Sequence, residues 1–158
     1  MSTPANYRLG QGEVFINGSN VGDTTEEGVV ITVTPNIKLL QSGKYGTTPM
    51  KAFFTGQEVT IEITLAEHTQ ENLERAIAGS DLDSDIINLG GVAGREISGS
   101  VVKLVPFDGT PIWTFKNAVP TSPVEVLYKT EDQRVIHVTF TGMVDVNEPD
   151  SSNVAEVS

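Results

Sequence analysis

The stretch Gln57-Glu-Val-Thr-Ile-Glu-Ile-Thr-Leu65 decides the fold class. From Glu58 onward, polar and apolar residues alternate without a break. Val59, Ile61, Ile63 and Leu65 fall on one side of an extended chain; Glu58, Thr60, Glu62 and Thr64 fall on the other. Period two with β-branched residues is the signature of a half-buried β-strand. A slip of one residue would put Val59, Ile61 and Ile63 in water, so the assignment of faces is firm.

Reading back towards the N-terminus, a second strand appears. Val29, Ile31, Val33 and Ile37 alternate with Thr32, Thr34, Asn36 and Lys38. Pro35 has no N–H, which predicts a bend or an edge position. Earlier still, Asn17-Gly18 follows Glu13-Val-Phe-Ile16 and predicts a two-residue hairpin returning through Val21. Between the two long strands, residues 39–56 show no periodicity and read as an oversized loop. It carries Tyr45, Met50, Phe53 and Phe54, which argues against free disorder.

Reading forward, Leu73, Ala76 and Ile77 have helical spacing, and Glu71 and Arg75 stand four apart. A helix is expected over 69–78, with Thr69 as cap and Gly79 as stop. Residues 79–96 read as a polar connection. Further strands are expected at about 97–106, 111–116, 124–129 and 134–141, with turns at Asp108-Gly109 and Glu131-Asp132. Residues 1–145 form one domain in this reading, and 146–158 a flexible polar tail. The expected fold is mainly β: a β-sandwich or partial barrel of six or seven strands with one short helix.

Composition narrows function. The chain has 158 residues, 38% of them hydrophobic, enough for one globular core. It contains no cysteine, which excludes disulfides, thiol catalysis and cysteine–zinc sites. The opening Met1-Ser-Thr-Pro-Ala-Asn-Tyr-Arg8 does not read as a signal peptide, and no apolar run approaches the ~20 residues of a membrane helix. A net charge of −11 argues against a surface that grips a nucleic-acid backbone.

Motifs with chemical potential have plainer readings. Asp81-Leu-Asp83-Ser-Asp85 opens like a calcium loop, but Ile86 and Val92 stand where that loop needs Gly and Glu. His68 and His137 have no zinc spacing and no nucleophile partner. Gly10-Gln-Gly12 and Gly90-Gly-Val-Ala-Gly94 lack the strand–glycine–helix context of a nucleotide site. Glu58 and Glu62 lie two pleats apart on one strand face, roughly 13 Å, wider than a glycosidase pair of about 5–9.5 Å. Trp113 reads as a core or interface residue. Neither a catalytic residue, a metal nor a cofactor is expected.

Two stretches carry a family resemblance. Gly10-Gln-Gly-Glu-Val-Phe-Ile-Asn-Gly-Ser-Asn-Val-Gly-Asp23 resembles the N-terminal hairpin of bacteriophage tail tube proteins. Val59-Thr-Ile-Glu-Ile-Thr-Leu-Ala-Glu-His-Thr-Gln-Glu-Asn-Leu-Glu-Arg-Ala-Ile77 resembles their strand–helix segment. The order of features over residues 8–145 is similar, and type VI secretion tube proteins share the fold. The resemblance implies a virion protein made in the host bacterial cytoplasm. It implies stacked homohexameric rings whose lumen passes DNA without specific binding. Tape measure, terminator and tail tip or baseplate proteins would be the neighbours. Glu58, Thr60, Glu62 and Thr64 would face the lumen, and the 39–56 loop, through Ser42, Lys44, Tyr45, Met50 and Phe53, would reach a neighbouring subunit. Three alternatives remain: another virion or secretion ring, such as a tail terminator or type VI-like tube; a monomeric β-sandwich that binds a ligand; and an enzyme, favoured only where the carboxylates converge in a pocket.

Overall fold

The computed structural model describes residues 12–22, 24–107, 109, 111–144 and 154–158, with backbone alone for 25–27. Gly10, Asp108 and residues 146–153 of the expected tail lie outside the described residues.

The chain is mainly β. Strands β1 (Gly12–Ile16), β2 (Ser19–Asn20), β3 (Thr24–Gln41) and β4 (Pro49–Leu65) come first. Helix α1 (Gln70–Ala76) follows, then a small hairpin of β5 (Asp81–Asp83) and β6 (Ile86–Asn88). Strands β7 (Ser100–Pro106), β8 (Trp113–Pro120), β9 (Ile136–Gly142) and β10 (Ala155–Val157) complete the order. An 8-stranded antiparallel sheet runs β2-β1-β7-β8-β9-β4-β3, with β10 also paired to β8. The sheet curls until β1 touches β3.

The decisive strand behaves as its alternation requires. Val59, Ile61, Ile63 and Leu65 are all buried. Their partners on β9, Phe140, Val138 and Ile136, are equally buried and pair with Ile61, Ile63 and Leu65. Val14 and Ile16 of β1, Val21, Ala76 of α1, Val102 of β7 and Phe115 and Ala118 of β8 complete the core. Burying each such aliphatic or aromatic side chain stabilises the fold by about 1.5–3 kcal/mol.

Local chemistry explains the turns and ends. Asn17 and Gly18 both have positive φ, 52° and 82°, as a two-residue hairpin demands. β3 is an edge strand, which is why it tolerates Pro35. The Thr69 hydroxyl caps α1 by accepting from the Asn72 N–H at 3.2 Å, as expected.

Four expectations are corrected. Residues 39–56 are not a loop: 39–41 and 49–56 extend β3 and β4, and only 42–48 turn. Residues 79–96 contain the β5–β6 hairpin, so Asp81 and Asp83 sit along a strand. Residues 124–129, expected as a strand, form none. β8 pairs directly with β9 through Ala118–Gly142, Val119–Thr141 and Pro120–Phe140, and β4 takes the other edge of β9. The segment is therefore the connection between two strands already paired to each other and stays outside the ladder. Finally, 155–157 are not loose tail but a strand: Ala155, Glu156 and Val157 pair with Phe115, Thr114 and Trp113. Lys116 Nζ and the Glu156 carboxylate, 2.9 Å apart, fasten it.

Candidate functional site

The most unusual surface is the outer half of the β3–β4 hairpin. No residue between 37 and 55 belongs to the buried core. The two strands stay paired through Ile37–Phe54, Lys38–Phe53, Leu39–Ala52 and Leu40–Lys51. They form an arm reaching roughly 20 Å from the body at about 3.3 Å per residue. A register shift between Asn36 and Ile37 marks its root, where Gly56 has φ 142° and the Thr55 hydroxyl donates to the Asn36 carbonyl at 2.9 Å.

Directly paired residues share a face of a ribbon. One face of the arm therefore carries Ile37, Leu39 and Phe54; the other carries Leu40 and Phe53 between Lys38 and Lys51. All five apolar residues are exposed, Phe54 by 67%. Lys51 Nζ lies 5.2 Å from the Phe53 ring centre, and Lys44 Nζ 5.6 Å from that of Tyr45. Of the expected joint residues, Ser42, Lys44 and Tyr45 sit in the tip. Met50 and Phe53 sit on β4. The tip is ordered by its own bonds: the Tyr45 N–H donates to the Ser42 carbonyl at 3.0 Å, and the Gln41 side chain to the Thr47 carbonyl at 3.0 Å.

The second surface is the polar side of the sheet. Glu58 and Glu62 are exposed and Thr60 is half-buried. Register sets Thr34, Thr32 and Val30 of β3 beside Glu58, Thr60 and Glu62, and Thr141 and Thr139 of β9 beside Thr60 and Glu62. The face is a mosaic of threonines with two carboxylates. Thr64 departs from the expectation of an open polar row. It is only 4% exposed, and its hydroxyl meets Nδ1 of its cross-strand partner His137 at 2.9 Å.

The third feature is an apolar groove of about 580 Å³ at the root of the arm. Val33, Phe54 and Val59 line one side, Trp113, Val154 and Val157 the other. Its lining comes from β3, β4, β8 and β10. Trp113 is half-buried there. A smaller cavity of about 320 Å³ beside α1 mixes Arg75 and Arg95 with Glu74, Asp81 and Glu96, so it favours neither charge.

The remaining sequence candidates do not converge. Thr60 stands between Glu58 and Glu62 on β4. His68 lies in the link from β4 to α1, and its Nε2 is buried with no hydrogen-bond partner among the described residues. His137 is on β9. The sequence reading missed Asn72, which is 2% exposed. Its amide donates to the Val21 and Glu67 carbonyls at 3.0 and 2.9 Å and accepts from Arg75 at 3.0 Å. A polar residue on the apolar stripe of α1, between Glu71 and Leu73, was the available signal. No protein-family model and no curated protein matches the chain.

Proposed function

We propose that the chain is a structural virion protein, the ring-forming subunit of a bacteriophage tail tube. Hexameric rings stack into a conduit, and DNA passes through it without specific contacts. Tail neighbours such as the terminator, tape measure and tail tip meet its ends.

The arm is the observation that carries this reading. An exposed ribbon with large apolar groups on both faces is a surface made to be covered. The curled sheet beneath it presents Glu58, Thr60 and Glu62 together, a suitable wall for a channel. Six copies would repeat those carboxylates around the bore. Such a wall repels phosphate and keeps DNA from sticking. The repulsion is short-ranged, since salt screens it beyond about 8–10 Å.

Electron microscopy of the purified chain, alone and added to a tail-tip complex, tests the proposal. Rings or tubes are expected. A species that stays monomeric at high concentration and extends no tail tip would refute it.

The groove favours one other reading, a monomeric ligand-binding module, because it is apolar and holds Trp113. Quenching of Trp113 by a small apolar ligand, in a chain that never assembles, would select it.

A further inference from the structure

A side chain closes the ladder between β1 and β7. The two strands pair from Gly12–Pro106 to Ile16–Val102, so the next rung falls at Asn17 and Val101. The Asn17 N–H donates to the Val101 carbonyl at 2.8 Å. The return bond goes to the Asn17 side chain, because its backbone is already turning at φ 52°. The Val101 N–H donates to Asn17 Oδ1 at 3.0 Å, and Nδ2 points at Ser100 Oγ, 3.4 Å away. Val101 lies in the register shift between Ser100 and Val102, where β8 offers it no rung.

Asn17 also opens the one Asn-Gly pair in the sequence. Glycine leaves the backbone nitrogen after an asparagine unshielded, and that nitrogen can attack the side-chain amide carbon. The Gly18 N–H has no hydrogen-bond partner among the described residues, and a Cβ at Gly18 would meet nothing within 4 Å. Nucleophile and solvent access are both in place. The fold withholds the electrophile. With Oδ1 on the Val101 N–H and Nδ2 at Ser100, the amide is held against β7 and must leave it before Cγ can meet the Gly18 nitrogen.

We propose that Asn17–Gly18 is a deamidation site gated by the last rung between β1 and β7. When that rung opens, the Gly18 nitrogen loses its proton and bonds to Asn17 Cγ. The Cγ–Nδ2 bond breaks, and ammonia leaves with that proton. The succinimide that results takes up water. Breaking its bond from the nitrogen to Cγ gives aspartate; breaking the bond from the nitrogen to the main-chain carbonyl carbon gives isoaspartate. The two products act differently on the rung. Aspartate keeps an oxygen where Oδ1 stood, so Val101 keeps its acceptor. Isoaspartate runs the backbone through the side chain and adds a methylene, so neither the two-residue turn nor the rung can close again. A passing local opening thereby becomes a permanent one. The reaction consumes only water and proceeds in a lone subunit.

The whole chain, incubated in mildly alkaline buffer with and without enough urea to unfold it, tests the proposal. Peptide mapping and enzymatic methylation of isoaspartate follow the residue. Aspartate and isoaspartate at position 17 are expected in urea, and several-fold slower accumulation in the folded chain. Hydrogen exchange then reads the rung. The Val101 amide should exchange several-fold faster in the isoaspartate fraction than in the unmodified chain, and at the unmodified rate in Asn17→Asp. Equal rates with and without urea would overturn the gate. Absence of both products at position 17 in urea would overturn the site itself. An isoaspartate fraction whose Val101 amide stays protected would overturn the effect assigned to the rung.

Discussion

Gly142 and Val154 touch so closely that a Cβ on the glycine would overlap Cγ1 of the valine. The end of β9 thus lies directly against the residue that leads into β10. Gly142 has no unusual φ, so its constraint is steric alone. Gly142→Val should displace Val154 and Phe115, whose Cδ1 stands 3.3 Å from the same Cβ position. A loss of about 1–3 kcal/mol is expected from overpacking. Hydrogen exchange should report it locally, as faster exchange of the Ile112 and Ser158 amides, which bond each other's carbonyls across the last rung.

Asn72 joins α1 to two other parts of the chain. Asn72→Ala would strand the Val21 and Glu67 carbonyls that its amide now satisfies. Each buried group left without a partner costs about 1–3 kcal/mol. Urea unfolding should show a lower midpoint with an unchanged slope. A midpoint equal to wild type would mean water replaces the amide freely.

Removing the arm should separate folding from assembly. Replacing residues 37–55 with Asn-Gly closes a two-residue turn between the paired residues Asn36 and Gly56. No core residue is lost. Circular dichroism should show a cooperative, folded monomer, and sedimentation should show no rings. Normal tubes from this variant would remove the arm from the assembly mechanism.

Reversing the charge of the polar face should spare the fold and change the channel. Glu58→Lys with Glu62→Lys alters two exposed positions, where stability usually moves within about 0.5 kcal/mol. In particles, DNA release should slow, because a basic ring would hold phosphate. Release at the wild-type rate would place these residues away from the passage.

The strand Gln57–Leu65 was legible because one face is core and the other is water, so its side chains alternate sharply. The outer arm was not legible for the same physical reason. Leu39 and Leu40 lie on opposite faces, and so do Phe53 and Phe54, yet all four are apolar. No period-two contrast survives when neither face is packed within the subunit. Residues 124–129 show the reverse. Val124, Val126 and Tyr128 have strand-forming side chains, but pairing is a tertiary matter that residue type does not report. β10 has only three residues, too few for a pattern, and its place depends on the free edge of β8. The polar face was readable at Glu58, Thr60 and Glu62. Thr64 was not, because its cover comes from a partner on β9 far away in sequence.

The register shift at the arm root has a mechanical meaning. β3 and β4 run unbroken from the packed core to the tip, so the arm behaves as a cantilever with one weak section. That section is Asn36 to Gly56, where the ladder skips a residue and Gly56 holds φ 142°, a value that side chains disfavour. Load applied at Tyr45 would bend the ribbon there before it disturbed Ile61 or Phe140. If subunits assemble as proposed, a bend confined to this section would let them tilt relative to one another while each interior stays unchanged.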